Sequence, residues 1–199
     1  MIELSSGVET YNVNEITLGE YLNILNSVSD GNVSEVVGGI MKSRFPDLPK
    51  HIAEMLFLKL WSHSTGNVCI EREYTIDDNI VIVPINMDLV SVSENKPEHE
   101  LFYDITGNII KFRYPRLFED NDYVDMIFNC MESISVNDSI IKIDELTDVE
   151  LGELVEMIDE TRFKEICDML LEPEVYLIYS IGDENKVLTG FKDIFSLVS

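Results

Sequence analysis

The segment from Leu48 through Trp61 is apolar at so many positions that, wound as a helix, it keeps almost no polar face. At 100° per residue, Ile52, Met55, Leu56, Phe57, Leu58, Leu60 and Trp61 take up most of the circumference. Such a helix has to be covered on most sides, so the rest of the domain is expected to fold around it. It stops at Ser64-Thr65-Gly66 and hands over to residues 69–114, which read as strands.

Upstream, Ile2 to Val13 reads as a short strand pair turning near Ser6-Gly7. Thr17-Leu18-Gly19-Glu20 has the T-x-x-E form in which each side chain satisfies an orphan backbone donor, so a helix starts there. It carries Tyr21, Leu22, Ile24, Leu25 and Val28 and ends by Asp30-Gly31. Asn32-Val33-Ser34-Glu35 repeats the start signal. The helix after it contains Gly38-Gly39, each costing about 1 kcal/mol relative to alanine, which points to close packing or a kink. Pro46 and Pro49 then break the chain, because proline disfavours helical geometry in the residue before it.

Cys69 to Thr75, Ile80 to Val92 and Glu100 to Tyr114 are rich in Val, Ile, Tyr and Phe, with turns at Asp77-Asp78-Asn79 and Thr106-Gly107-Asn108. One antiparallel sheet is the simplest account, with Pro84 on an edge or at a bulge because it cannot donate to a ladder. Ser93 to His99 reads as a polar loop. The helical period then returns in three stripes: Tyr123, Met126, Ile127, Cys130; Leu151, Leu154, Val155, Ile158; and Phe163, Ile166, Cys167, Leu170. All three should face one core. Thr147-Asp148-Val149-Glu150 is a third T-x-x-E start, Pro173 ends the last helix, and Ser139 to Ile143 forms a short strand. Val175 to Ile181 and Lys186 to Leu188 make a hairpin, followed by a short helix on Phe191, Ile194 and Phe195. The fold class is therefore α+β: a helical N-terminal part, a central antiparallel sheet, and a helical C-terminal part ending in a hairpin and short helix. Residues 1–199 suit a single domain or two lobes, 1–66 mainly helical and 67–199 holding the sheet and the acidic helices.

Charge is where the composition departs from the ordinary. The chain has 38 acidic and 14 basic residues, a net charge of −24. Residues 119–160 alone hold fourteen acids and one basic residue, Lys142. Charges that dense lie within a Debye length of about 8 Å and repel one another. A solvated face, an acidic docking surface for a basic partner and mimicry of a nucleic-acid backbone all accommodate this. Direct binding to DNA or RNA is disfavoured, since phosphate contacts need clustered Lys and Arg. Met1-Ile2-Glu3-Leu4 has neither a basic start nor a long apolar run, which argues against a signal peptide. No run reaches eighteen apolar residues, so no membrane helix is expected. Cys69, Cys130 and Cys167, odd in number and far apart, fit a reducing compartment better than a disulfide framework.

Reaction chemistry is hard to place. Zinc needs Cys or His at short spacings, whereas His51 and His63 are twelve apart, 120° around a helix, and read as partly exposed polar residues. Cys130 and Cys167 read as small core residues, and His99, beside Glu98 and Glu100, as a solvated histidine. No Gly-rich phosphate loop or nucleophile elbow is present. Glu71-Arg72-Glu73 and Asp120-Asn121-Asp122 read as solvent-facing strand and helix-start residues, the latter lacking the Gly and distal Glu of a calcium loop. No catalytic, cofactor-binding or metal-binding residue is assigned, and neither an enzymatic activity nor a cofactor is expected.

What remains is surface for proteins. Trp61 is either core or an interface anchor. Arg113, in Arg113-Tyr114-Pro115, either pairs with local carboxylates or contacts a partner, with Tyr114 beside it. Phe191 and Phe195, with Ile194 and Leu197, form an apolar face that packs back on the hairpin or serves as a docking peptide.

Four segments recur in a familiar order over residues 8–197: the apolar helix LFLKLWSHSTG, a strand pair ending in Phe112-Arg113-Tyr114-Pro115, an acidic helical stretch, and the closing Leu188-Thr189-Gly190-Phe191-Lys192-Asp193-Ile194-Phe195. In this the chain resembles the baseplate hub assembly protein family of T4-type bacteriophages. The resemblance implies a non-enzymatic tail assembly protein, a chaperone or scaffold working in the host cytoplasm on other baseplate hub proteins. A permanent structural subunit of the hub, located in the virion baseplate, is the first alternative. An acidic inhibitor mimicking DNA is the second, although it calls for carboxylates in a phosphate-like stripe and this chain gathers them in one helical region.

Overall fold

The computed structural model describes residues 1–6, 9–76, 78–93, 100–136 and 139–198. Gly7 of the expected first turn, Asp77 of the second and residues 94–99 of the expected loop, His99 included, lie outside them. In chain order the elements are β1 (Ile2–Ser6), β2 (Glu9–Val13), α1 (Leu18–Asp30), α2 (Val33–Arg44), α3 (Lys50–Thr65), β3 (Cys69–Ile76), β4 (Asn79–Asn86), β5 (Ser91–Ser93), β6 (Phe102–Ile105) and β7 (Asn108–Phe112). There follow α4 (Tyr123–Cys130), β8 (Met131–Val136), β9 (Ser139–Lys142), α5 (Asp148–Glu156), α6 (Glu160–Leu171), β10 (Glu174–Ile181), β11 (Glu184–Thr189) and α7 (Phe191–Phe195). The fold is α+β, and among the described residues every strand pair is antiparallel.

The chain forms two compact units. One joins Met1–Ser93 to Glu174–Ser199; the other is Glu94–Pro173. A lobe boundary at 66/67 is not where this division falls, because β3, β4 and β5 stay with the N-terminal helices. The reason is a long-range pairing: β5 lies against β10, with Ser93 opposite Glu174 and Ser91 opposite Tyr176. Local pattern carries no trace of a partner 81 residues away.

In the first unit α1 starts on the expected capping box. Thr17 Oγ1 accepts from the Glu20 amide at 3.2 Å, and Glu20 Oε2 accepts from the Thr17 amide at 2.8 Å. The helix stops at Gly31, whose φ of 74° is left-handed and suits glycine. At α2 the start is in place, but the Asn32 side chain makes no capping bond. Gly38 is buried, whereas a Cβ added at Gly39 would meet nothing within 4 Å, so no close approach explains the second glycine.

Helix α3 is the centre of this unit. Every residue from Met55 to Ser62 is buried, and the helix packs against α2, β1, β5, β10 and α7. Each large apolar side chain so covered stabilises the fold by about 1.5–3 kcal/mol. Coverage reaches further than expected. His51 is buried rather than partly exposed, because the wrapping begins in the first turn of α3. Lys59 is buried too; its Nζ donates to the Ser5 carbonyl at 2.9 Å, and desolvation pushes its pKa below the ordinary lysine value.

The strand-rich residues 69–114 do not make one sheet. Strands β3 and β4 form a two-stranded ribbon, β5 becomes the third strand of β11-β10-β5, and β6 and β7 belong to the four-stranded sheet β6-β7-β8-β9. In the ribbon both strands are edges, which accommodates Pro84 opposite Glu71.

The second unit lays α4, α5 and α6 over that four-stranded sheet. Ile105, Ile110, Phe112, Met131 and Ile134 meet Met126, Ile127, Cys130, Leu154, Ile166, Cys167 and Leu170 in one core, so the three helical stripes converge as their spacing predicts. Three stripe residues are exceptions: Tyr123 and Val155 are well exposed, and Leu151 is half-buried and outside that core. Strand β8 was not anticipated. It begins directly after Cys130, so the helical stripe of α4 runs into it without punctuation.

Candidate interaction surfaces

Three of the five candidate contact residues come together in the first unit. Trp61 stacks on Tyr21 at 5.6 Å and meets Phe195 at 5.6 Å, while Phe57 lies 6.1 Å from Phe191 and 6.2 Å from Phe195. Aromatic pairs at such distances add about 0.5–1.5 kcal/mol beyond their burial. The indole Nε1 donates to the Val198 carbonyl at 3.1 Å, so the polar edge is satisfied as well. Trp61 is 2% exposed and Phe195 is 6% exposed. The terminal apolar face packs on α3 and on both strands of the β10–β11 hairpin, and its rings are occupied within the chain.

Arg113 and Tyr114 sit in the second unit. Arg113 Nη1 and Nη2 donate to the two Glu119 carboxylate oxygens at 2.8 and 2.9 Å, and further bonds reach the Tyr114 and Asn129 carbonyls. This two-pronged geometry uses the planar guanidinium fully. The Glu119 bond pushes the Arg113 pKa up despite burial. Burial pushes Glu119 up, but Arg113 and the Arg116 amide outweigh it and hold the carboxyl below its usual range. Tyr114 is buried. The pair fastens the chain leaving β7 to the approach of α4, as the local-carboxylate alternative anticipates.

The open surface lies elsewhere, on residues that were assigned no contact role from sequence. On α1, Leu18, Leu22, Leu25 and Val28 are 73%, 46%, 44% and 57% exposed, while Ile24 alone of its aliphatic residues is buried. The signal was present: Leu18, Leu22 and Leu25 fall at i, i+4, i+7, on the opposite side from Ile24 and Ser27. Beside this stripe, Tyr21, Leu25, Trp61, Ile70, Glu71 and Leu197 help line an open groove of about 870 Å³. The helix carrying the stripe is anchored by Arg44, whose Nε donates to Glu20 Oε1 at 2.9 Å; that bond holds the Glu20 carboxyl down at about 2.

Charge is spread unevenly. The first unit has 17 acidic and seven basic residues; the smaller second unit has 21 acidic and seven basic. In the second unit, strand register places Phe102, Ile109, Lys111, Ile140 and Lys142 on the sheet face away from the core, where Lys111 pairs with Glu132 at 2.6 Å. Among the described residues no group of three or more His, Cys, Asp or Glu gathers as metal ligands would, and no helix is long and apolar enough to cross a membrane.

Comparison with known proteins places this sequence. The sequence model of the family described as T4 bacteriophage base plate protein matches residues 1–196. The chain is 32% identical over 200 residues to the baseplate hub assembly protein gp26 of Enterobacteria phage T4, covering 96% of this chain and 95% of that protein. No solved structure matches. With the family pattern and a full-length relative in agreement, this chain belongs to the T4 bacteriophage base plate protein family.

Proposed function

We propose that this protein acts in assembly of the phage baseplate hub, as a chaperone or scaffold that contacts other hub proteins in the host cytoplasm and catalyses no reaction. The observation that carries the reading is the end-to-end similarity to a hub assembly protein, 32% identity across 96% of the chain. The physical side of the argument is its exterior. A chain with net charge −24 gives any complex it joins a like-charged surface, and such complexes repel one another. Bound to an apolar face of an unassembled hub component, it keeps those faces apart until the correct neighbour displaces it.

Affinity capture from infected cells tests the role. Baseplate hub proteins are expected to co-purify with the tagged chain at low ionic strength and to be depleted as salt is raised. Capture with no hub protein would overturn the reading. Mass spectrometry of purified virions separates the transient factor from a permanent hub subunit: an assembly factor is absent from particles, a subunit is present in them.

A further inference from the structure

We propose that the exposed face of α1 is a docking surface for an amphipathic helix of a baseplate protein, one that carries basic residues beside its apolar anchors. This deepens the hub-assembly reading and rests on it for the source of the partner. Leu18, Leu22 and Leu25 form an uncharged stripe, and Val28 widens it toward the C-terminal end of the helix. Tyr21 and Leu25 continue from α1 into the groove shared with Trp61, Ile70 and Leu197, so an anchor laid along the leucines finds an adjoining recess. Thirteen residues at 1.5 Å each make α1 about 20 Å long, room for anchors at i, i+3 or i+4, and i+7 of an incoming helix.

Charge selects the occupant. Asp30 closes α1 where the macrodipole is negative, and the last turn holds no basic residue to offset it. On the groove wall Glu71 is offset by Arg72 beside it, and Glu15 faces the Met1 ammonium at 3.9 Å, so beyond Asp30 the attraction for a basic partner comes from the unit's excess of 17 acids over seven bases. A second copy of this chain would bring another −24 to the same place, so like charge opposes self-pairing, whereas lysines or arginines flanking the apolar anchors are drawn in. A face this short makes a reversible contact, which suits a factor that must leave.

The test titrates the full chain into a fluorescein-labelled synthetic Leu/Lys amphipathic helical peptide, and into a scrambled peptide of equal composition whose leucines share no face. The wild type is expected to bind the amphipathic peptide in a salt-dependent way. L22Q/L25Q, unchanged in charge and altered only at exposed positions, is expected to bind it about tenfold or more weakly, with L18Q/V28Q as a second variant and circular dichroism confirming the fold of each. Equal binding by wild type and both variants, equal binding of both peptides, no binding of either, or self-association that the variants abolish would each overturn the proposal. Hub proteins captured equally by wild type and L22Q/L25Q would remove the α1 face and leave the hub role standing. Variant-sensitive peptide binding with no hub protein captured would remove the hub role and leave the face.

Discussion

Helices α1 and α3 are both rich in leucine and isoleucine, both end at a left-handed glycine, and both belong to the first unit, yet one shows its apolar residues and the other hides them. Helix α3 is enclosed by β1, β5, β10, α2 and α7. Helix α1 buries Ile24 and Ser27 and turns three leucines and a valine outward. Leucine in a helix therefore reports what the helix can cover, and the surrounding elements decide whether it is covered here. In α3 the apolar content serves stability; in α1 most of it is left exposed.

That contrast can be broken most sharply by Phe57→Ala. Truncating a fully buried ring in α3 is expected to cost about 3–5 kcal/mol. Urea unfolding followed by the fluorescence of Trp61, the sole tryptophan, reads the first unit directly; a loss under about 1 kcal/mol would mean that α3 is not its centre. Glu20→Ala comes next, removing both the capping box and the Arg44 pair, for about 1–2 kcal/mol. Because the folded Glu20 carboxyl titrates at about 2, below its ordinary 4.5, its contribution is fully present above pH 4.5 and is lost as pH falls through 2. The stability gap between wild type and variant should narrow over that window and stay constant at neutral pH.

Lys59→Met is expected to act in the opposite direction. Replacing a desolvated ammonium with an isosteric thioether should stabilise the fold by about 1 kcal/mol near neutrality. With its folded pKa depressed, Lys59 makes wild-type stability rise with pH from that folded value up to the ordinary 10.5, a rise the variant should lack. Smallest of all is Leu22→Gln in α1, expected to change unfolding free energy by no more than about 0.5 kcal/mol. A loss comparable to that of Phe57→Ala would erase the distinction between the two helices.

Much of this fold is written in short-range chemistry. Thr17 and Thr147 open helices through capping boxes, Gly31 and Gly66 close them in left-handed geometry, and Asp122 accepts from the Val124 and Asp125 amides at the start of α4. Each decision is made within a few residues and is visible in the string. The assignment of strands to sheets is not of that kind. Pairing of β5 with β10 and the place of β8 between β7 and β9 depend on which edge is near, and two strands of similar composition can end in different sheets. The candidate site was legible in the same uneven way. Trp61, Phe191 and Phe195 stand out in the sequence and pack together, whereas the exposed leucines of α1 read only as helix residues because period alone does not say which side of a helix is covered.

The aromatic cluster around Trp61 has a consequence for the order in which the molecule is made. Phe57 and Trp61 are covered by Phe191 and Phe195, and the β5 edge by β10, all contributed by residues that the ribosome adds after residue 173. Residues 94–173 are contiguous and can close their own core as they emerge. The nascent chain thus carries a finished inserted unit while its earliest helices still wait, bare on one side, for the stretch that seals them.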